Sequence, residues 1–96
     1  MNSNLLKYYS IGVEYPDVSG FEILELLDMR SKLSGLEDCL TDNERETLER
    51  ADGVLLDNLK SFHEKIQEVG NLPELRRRAK AVPSHWWWYM DKLINR

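Results

Sequence analysis

Cys39, His63 and His85 are the side chains best suited to covalent or proton-transfer chemistry, yet no motif ties them together. Covalent hydrolysis needs a nucleophile, a base and an oxyanion site, and the chain supplies the first two only as isolated residues. Cys39 lies just before a helix start, where a small semi-buried thiol is expected. His63 has Glu64 beside it in sequence but not on the same helical face. The two histidines stand too far apart to form a His-x-x-x-His pair, and a single cysteine excludes both a Cys-rich zinc site and an intramolecular disulfide. Asp42, Glu44 and Glu46 lack the glycine and the spacing of a calcium loop; their carboxylates suit a helix N-terminus. No glycine-rich phosphate loop follows a predicted strand. The expectation is a protein that is not an enzyme and takes no metal or cofactor.

Binding chemistry is better supplied. Arg76, Arg77, Arg78 and Lys80 stand a few residues before Trp86, Trp87, Trp88 and Tyr89, and Trp, Tyr and Arg are the side chains that most often dominate interface energy. Neighbours on a helix differ by about 100°, so three consecutive tryptophans cannot all face one core. Arg76, Arg77, Trp86, Trp88 and Tyr89 are therefore the candidate partner contacts. The structural alternative is that Tyr8, Tyr9 and Tyr15 cover the tryptophans and make them a core lid. A second functional reading is nucleic-acid binding, with the Arg76–Lys80 cations on phosphates and the rings stacked on bases. The acidic total and the lack of a helix-turn-helix pattern weigh against it. Attachment to a membrane surface would need a longer segment with a denser basic face, and none is expected.

With 96 residues the chain fits one domain, and 42% hydrophobic beside 31% charged residues suits a helical globule with a solvated outer face. The net charge of -4 conceals an asymmetry. Residues 1–64 carry 14 acidic and 6 basic side chains, whereas residues 65–96 carry 3 and 7. An acidic body with a basic, aromatic end can steer a charged partner, or fold back so that the two ends neutralise each other. Met1-Asn2-Ser3-Asn4 lacks the basic start of a signal peptide, and no apolar run is long enough to cross a bilayer. A cytoplasmic location is expected.

These residues must be positioned by helices. Residues 1–18 read as a poorly defined arm, interrupted by Gly12 and Pro16, whose apolar Leu5, Leu6, Tyr8 and Tyr9 allow a short helical turn and are expected to lay it on the bundle, with room for a brief strand at Gly12–Tyr15 that lacks an evident partner. Ser19 and Glu22 form a capping-box pattern that opens a helix over about Gly20–Ser34, with Phe21, Leu24, Leu27 and either Met29 or Arg30 facing inward, Ile23 and Leu26 broadening the face, and Gly35 in a left-handed C-terminal position. Thr41 and Glu44 repeat the pattern. Leu48, Ala51, Leu55, Leu59, Phe62, Ile66 and Val69 then hold one stripe along a single long helix, Thr41–Val69, of about 43 Å. Gly53 is expected to mark either a bend or a close helix crossing. Leu72-Pro73 restarts a short helix that carries the arginines. Pro83 closes it and Ser84 caps a last helix, His85 to about Ile94, with Trp86, Trp87, Met90, Leu93 and Ile94 inward and Trp88 and Tyr89 turned elsewhere.

Pro83-Ser84-His85-Trp86-Trp87-Trp88-Tyr89-Met90-Asp91, together with Leu40-Thr41-Asp42-Asn43-Glu44-Arg45-Glu46, resembles segments of a group of small uncharacterised bacterial helical proteins. The likeness covers roughly residues 40–92 and implies no established activity. The expected architecture is all-α: a single domain over 1–96, a three- to four-helix antiparallel bundle with a long central helix, and a basic, aromatic segment over 72–96. The expected role is a non-catalytic protein-protein interaction or regulatory module, antitoxin-like in its size and charge asymmetry, with self-association as a further expectation.

Overall fold

A computed structural model describes residues 3–94; Met1 and Asn2 of the expected arm, and Asn95 and Arg96, lie outside the described residues. Six α-helices follow one another: α1 (Ser3–Gly12), α2 (Gly20–Ser34), α3 (Asp42–Asp57), α4 (Leu59–Val69), α5 (Leu72–Arg78) and α6 (Met90–Ile94). Short 3-10 turns at Glu37–Cys39 and Trp86–Tyr89 complete the set, and no strand occurs among the described residues. The chain is thus all-helical, with six helices where three or four were expected.

The first correction concerns the arm, which is a helix. Leu6, Tyr9 and Val13 recur at steps of three and four and are buried, so α1 is held by its inner face against α2 and α3. Gly12 does not stop it early. Val13 N–H still donates to Tyr9 O at 3.1 Å, and the chain leaves by a tightened turn in which Tyr15 N–H reaches Gly12 O at 3.2 Å.

The second correction concerns the central rod. A straight helix of about 43 Å does not fit a molecule whose longest extent is 35 Å. The helix is interrupted at Asn58, whose φ of -105° and ψ of 14° leave the helical range, and not at Gly53, where an added Cβ would meet open space. The backbone ladder persists through the break, since Asn58 N–H donates to Val54 O and Asn58 O accepts from Phe62 N–H at 3.0 Å. What marks Asn58 is its side chain, whose Nδ2 donates to the carbonyl of buried Val13 at 3.2 Å. The break lets α3 serve α1 while α4 serves α2 and α6. The apolar stripe Leu48, Ala51, Leu55, Leu59, Phe62 and Ile66 is buried along both halves.

Helix starts follow the capping chemistry closely. Thr41 Oγ1 accepts from Glu44 N–H at 3.2 Å and Glu44 Oε1 accepts from Thr41 N–H at 2.8 Å, a complete reciprocal box. At Ser19 the forward half is present, with Ser19 Oγ accepting from Glu22 N–H at 3.2 Å. The face α2 buries is Ile23, Leu26, Leu27, Arg30 and Leu33; Phe21 is exposed, and Gly35 is right-handed at φ -72°. Gly20 sits where α2 crosses α4 so closely that a Cβ would fall 2.3 Å from Lys65 O. No helix of the described residues is long and apolar enough to cross a membrane.

Candidate functional site

The expected contact residues lie on α5, the Trp86–Tyr89 turn and α6. Asn71 Oδ1 caps α5 by accepting from Glu74 N–H at 3.2 Å. The helix closes in a Schellman arrangement: Ala81 N–H donates to Arg76 O and Lys80 N–H to Arg77 O. Lys80 holds the left-handed position at φ 55°, where glycine is the usual residue. The chain then passes through a turn in which His85 N–H donates to Val82 O at 3.0 Å, and Ser84 is not a helix cap.

The tryptophan segment is a 3-10 turn rather than the first turn of an α-helix, and this changes which rings face inward. Trp87 and Trp88 are buried, while Trp86 and Tyr89 are half-buried. Both inner indoles donate to one acceptor, Ser31 Oγ on α2, at 3.0 Å from Trp87 Nε1 and 2.9 Å from Trp88 Nε1. Trp88, expected as a partner contact, is only 5% exposed and is withdrawn from the surface by this bond. The tyrosine lid also fails: Tyr8 and Tyr15 are exposed, and Tyr9 is engaged elsewhere. His85 stacks on Trp87 with ring centres 4.6 Å apart, and Trp86 meets Trp87 edge to face at 5.6 Å.

Arg76 is the clasp of this end. Its Nη1 donates to Trp88 O at 3.0 Å and to Asp91 Oδ1 at 2.8 Å, and its guanidinium lies 4.4 Å from the centre of the Tyr89 ring. Burial works against the Asp91 charge, but the hydrogen bond and charge of Arg76, with backbone N–H groups of Asp91 and Lys92, outweigh it and hold the carboxyl below its ordinary range. Arg78 pairs with Glu74 at 2.9 Å. Arg77 and Lys80 are exposed and make no ion pair among the described residues. Of the expected set, Arg77 faces solvent, Trp86 and Tyr89 are partly available, Arg76 is committed internally and Trp88 is sealed.

A second constellation escaped the sequence reading, in which Arg30 is only an optional member of an apolar stripe. Arg30 is 5% exposed. Its Nε and Nη2 donate to the two Asp52 oxygens at 2.8 and 3.0 Å, and Nη2 also reaches Glu37 Oε1 at 3.3 Å. Tyr9 OH donates to the same Asp52 Oδ1 at 2.7 Å, so one carboxylate joins α1, α2 and α3. The Trp87 ring lies 4.2 Å from the Arg30 guanidinium and partly compensates Nη1, which finds no acceptor among the described residues. Burial, then the Asp52 charge and hydrogen bond, keep the Tyr9 phenol protonated far above its ordinary range, against the opposing effect of Arg30. Burial disfavours the Arg30 charge, yet the Asp52 hydrogen bonds and charge prevail and the net direction is upward.

Cys39, expected half-buried, is exposed on the Glu37–Cys39 turn, and His63 is half-buried on α4. No group of three or more His, Cys, Asp or Glu side chains able to hold a metal occurs among the described residues. A shallow surface depression of about 350 Å³ is bordered by His63, Gln67, Asn71 and Asp91. No family model, curated protein or solved structure matches this chain.

Proposed function

We propose that this chain is a non-catalytic interaction module that holds another protein through its C-terminal end. The observation that carries the reading is the division of labour in the aromatic string. Trp87 and Trp88 are fixed to Ser31, which leaves Trp86 and Tyr89 half-buried on a turn with little freedom to lose on binding. Exposed Arg77 and Lys80 on the adjoining α5 end supply a basic rim, and Val82 adds an exposed apolar side chain. Rigid aromatic anchors beside arginine are the composition of binding hot spots. The acidic body and basic end favour a partner whose docking face is acidic. An antitoxin-like role as the neutralising member of a two-protein system belongs to this proposal, as does kinship with the small bacterial helical proteins that share the aromatic string. A cytoplasmic setting belongs to it too.

The test is affinity capture with the wild type and with an Arg77→Ala, Trp86→Ala, Tyr89→Ala triple variant, followed by purified binding measurements on whatever protein the wild type retains. The triple variant should weaken binding at least about a hundredfold if these residues are hot spots, with helicity unchanged. Equal binding by both proteins would reject the surface.

Nucleic-acid binding is the second reading, favoured by one observation: Arg77 and Lys80 are unpaired cations among the described residues, beside partly exposed rings. Arg76 and Arg78 are already neutralised by Asp91 and Glu74, which leaves about two cations of the Arg76–Lys80 cluster for phosphates. The logarithm of the affinity would then fall against the logarithm of salt concentration with a slope near about -2. A complex indifferent to salt excludes this reading.

A further inference from the structure

The charge along the first two-thirds of the chain is unevenly spread. Between residues 16 and 64 there are 13 acidic and 5 basic side chains, whereas residues 3–15 hold one of each, Lys7 and Glu14. Helix α1 and its closing turn are thus a neutral strip on an acidic body. The outer side of that strip is apolar and unpartnered: Tyr8 is 60% exposed, Ile11 45% and Tyr15 61%. Tyr8 and Ile11 stand one turn apart on α1, and Tyr15 lies just past the end of the helix, four residues after Ile11. The closing turn carries Glu14 and Tyr15 onward, with Glu14 N–H donating to Ile11 O at 3.1 Å and Tyr15 N–H to Gly12 O at 3.2 Å. Beside Ile11, a groove of about 220 Å³ runs between α1 and α3, bordered by Ala51 and Val54 and by the polar side chains of Ser10, Glu14, Thr47 and Arg50.

We infer that this face pairs with the same face of a second copy, with the two α1 helices antiparallel about a two-fold axis at Ile11. The strip is self-complementary in that arrangement and in no parallel one. An antiparallel pair centred on Ile11 sets residues 7 and 8 of one copy beside residues 14 and 15 of the other. Level positions are 7 with 15 and 8 with 14, so Lys7 lies within about one residue's rise of the partner's Glu14 and Tyr8 within the same step of the partner's Tyr15, and the symmetry repeats each contact. Parallel pairing would set Lys7 against Lys7 and Glu14 against Glu14. The rest of the acidic body repels its own image, so the neutral strip is where two copies approach at least electrostatic cost. Two helical turns make a small interface, so the dimer belongs to the weak, concentration-dependent class.

Sedimentation equilibrium of the full chain, from about 10 μM to about 1 mM, tests this directly. The expected result is a monomer–dimer equilibrium within that range; a monomer throughout overturns the inference. Ile11→Glu should weaken dimerisation at least about tenfold, and a dimer indifferent to it overturns the inference equally. Lys7→Glu sets two like-charge pairs across the axis and should weaken it about fivefold. The double exchange Lys7→Glu, Glu14→Lys should return the dissociation constant to within about twofold of wild type, and failure of that rescue rejects the antiparallel pairing. All three residues are exposed, so unchanged far-ultraviolet circular dichroism establishes that the fold survives. The C-terminal surface is untouched by these variants, so this inference and the proposed function fail separately.

Discussion

The Arg30 guanidinium meets Asp52 in a two-pronged pair, and both residues sit on helix faces that are otherwise apolar. Asp52 lies between buried Ala51 and Leu55 on α3, and Arg30 follows buried Leu26 and Leu27 on α2. The pair therefore works as a register pin. The bridge ties α2 to α3, because displacing either helix leaves a buried charge without its counter-ion.

Removing one member should be severe. Asp52→Ala leaves Arg30 buried beside a half-exposed Glu37 and deprives Tyr9 OH of its acceptor, so urea denaturation should register a loss of about 3 kcal/mol or more. Arg30→Met combined with Asp52→Leu removes both charges and should recover most of that loss. A double variant no more stable than Asp52→Ala would show that the pair's charges are not the source.

Ser31 should matter more than a surface serine does. Ser31→Ala leaves two indole N–H groups without their acceptor and is expected to cost about 2 kcal/mol. The loss should be local as well as global: near-ultraviolet dichroism of the tryptophans falls and their emission moves to the red before the helices melt. Coincident loss of both signals at the wild-type midpoint would contradict this role.

Acid should loosen the C-terminal clasp. The folded Asp91 carboxyl sits below its unfolded value of about 3.9, so its contribution is complete above that pH and disappears as the pH falls through the lower folded value. Wild type should exceed Asp91→Asn in stability at pH 6, and the difference should shrink steadily below about pH 4. A difference that stays constant down to about pH 2 would detach it from the ionised carboxylate.

Two helical glycines should respond oppositely to alanine. At Gly53 an added methyl would have nothing within 4 Å of it, so Gly53→Ala should stabilise by up to about 1 kcal/mol through helix propensity alone. At Gly20 the methyl would strike the backbone carbonyl of Lys65 and force α2 from α4, so Gly20→Ala should lower the melting temperature. A shared sign for the two would remove the case for a tight crossing at Gly20.

Much of the helical layout was legible in the residues. The Thr41 and Ser19 caps, the Leu48–Ile66 stripe and the Pro73 restart each depend on a neighbour within four positions, and local chemistry decides them. Helix α1 was hidden because Gly12 and Pro16 resemble breakers, although Leu6, Tyr9 and Val13 already carried the inward spacing. Arg30 offered a signal too, a cation at a stripe position, without disclosing its counter-ion 22 residues away.

By itself the sequence determined the helical class, the helix starts capped by Ser19 and Thr41 and the basic, aromatic character of the C-terminal end, since these arise from contacts within one turn or from composition. Only the tertiary structure decided that the rod breaks at Asn58, where an amide side chain meets the Val13 carbonyl at the end of α1. It also decided that Trp87 and Trp88 turn inward together, because their shared acceptor, Ser31, lies 56 and 57 residues away on another helix. A side chain's environment depends on partners brought near by folding, and distance along the chain carries no record of them.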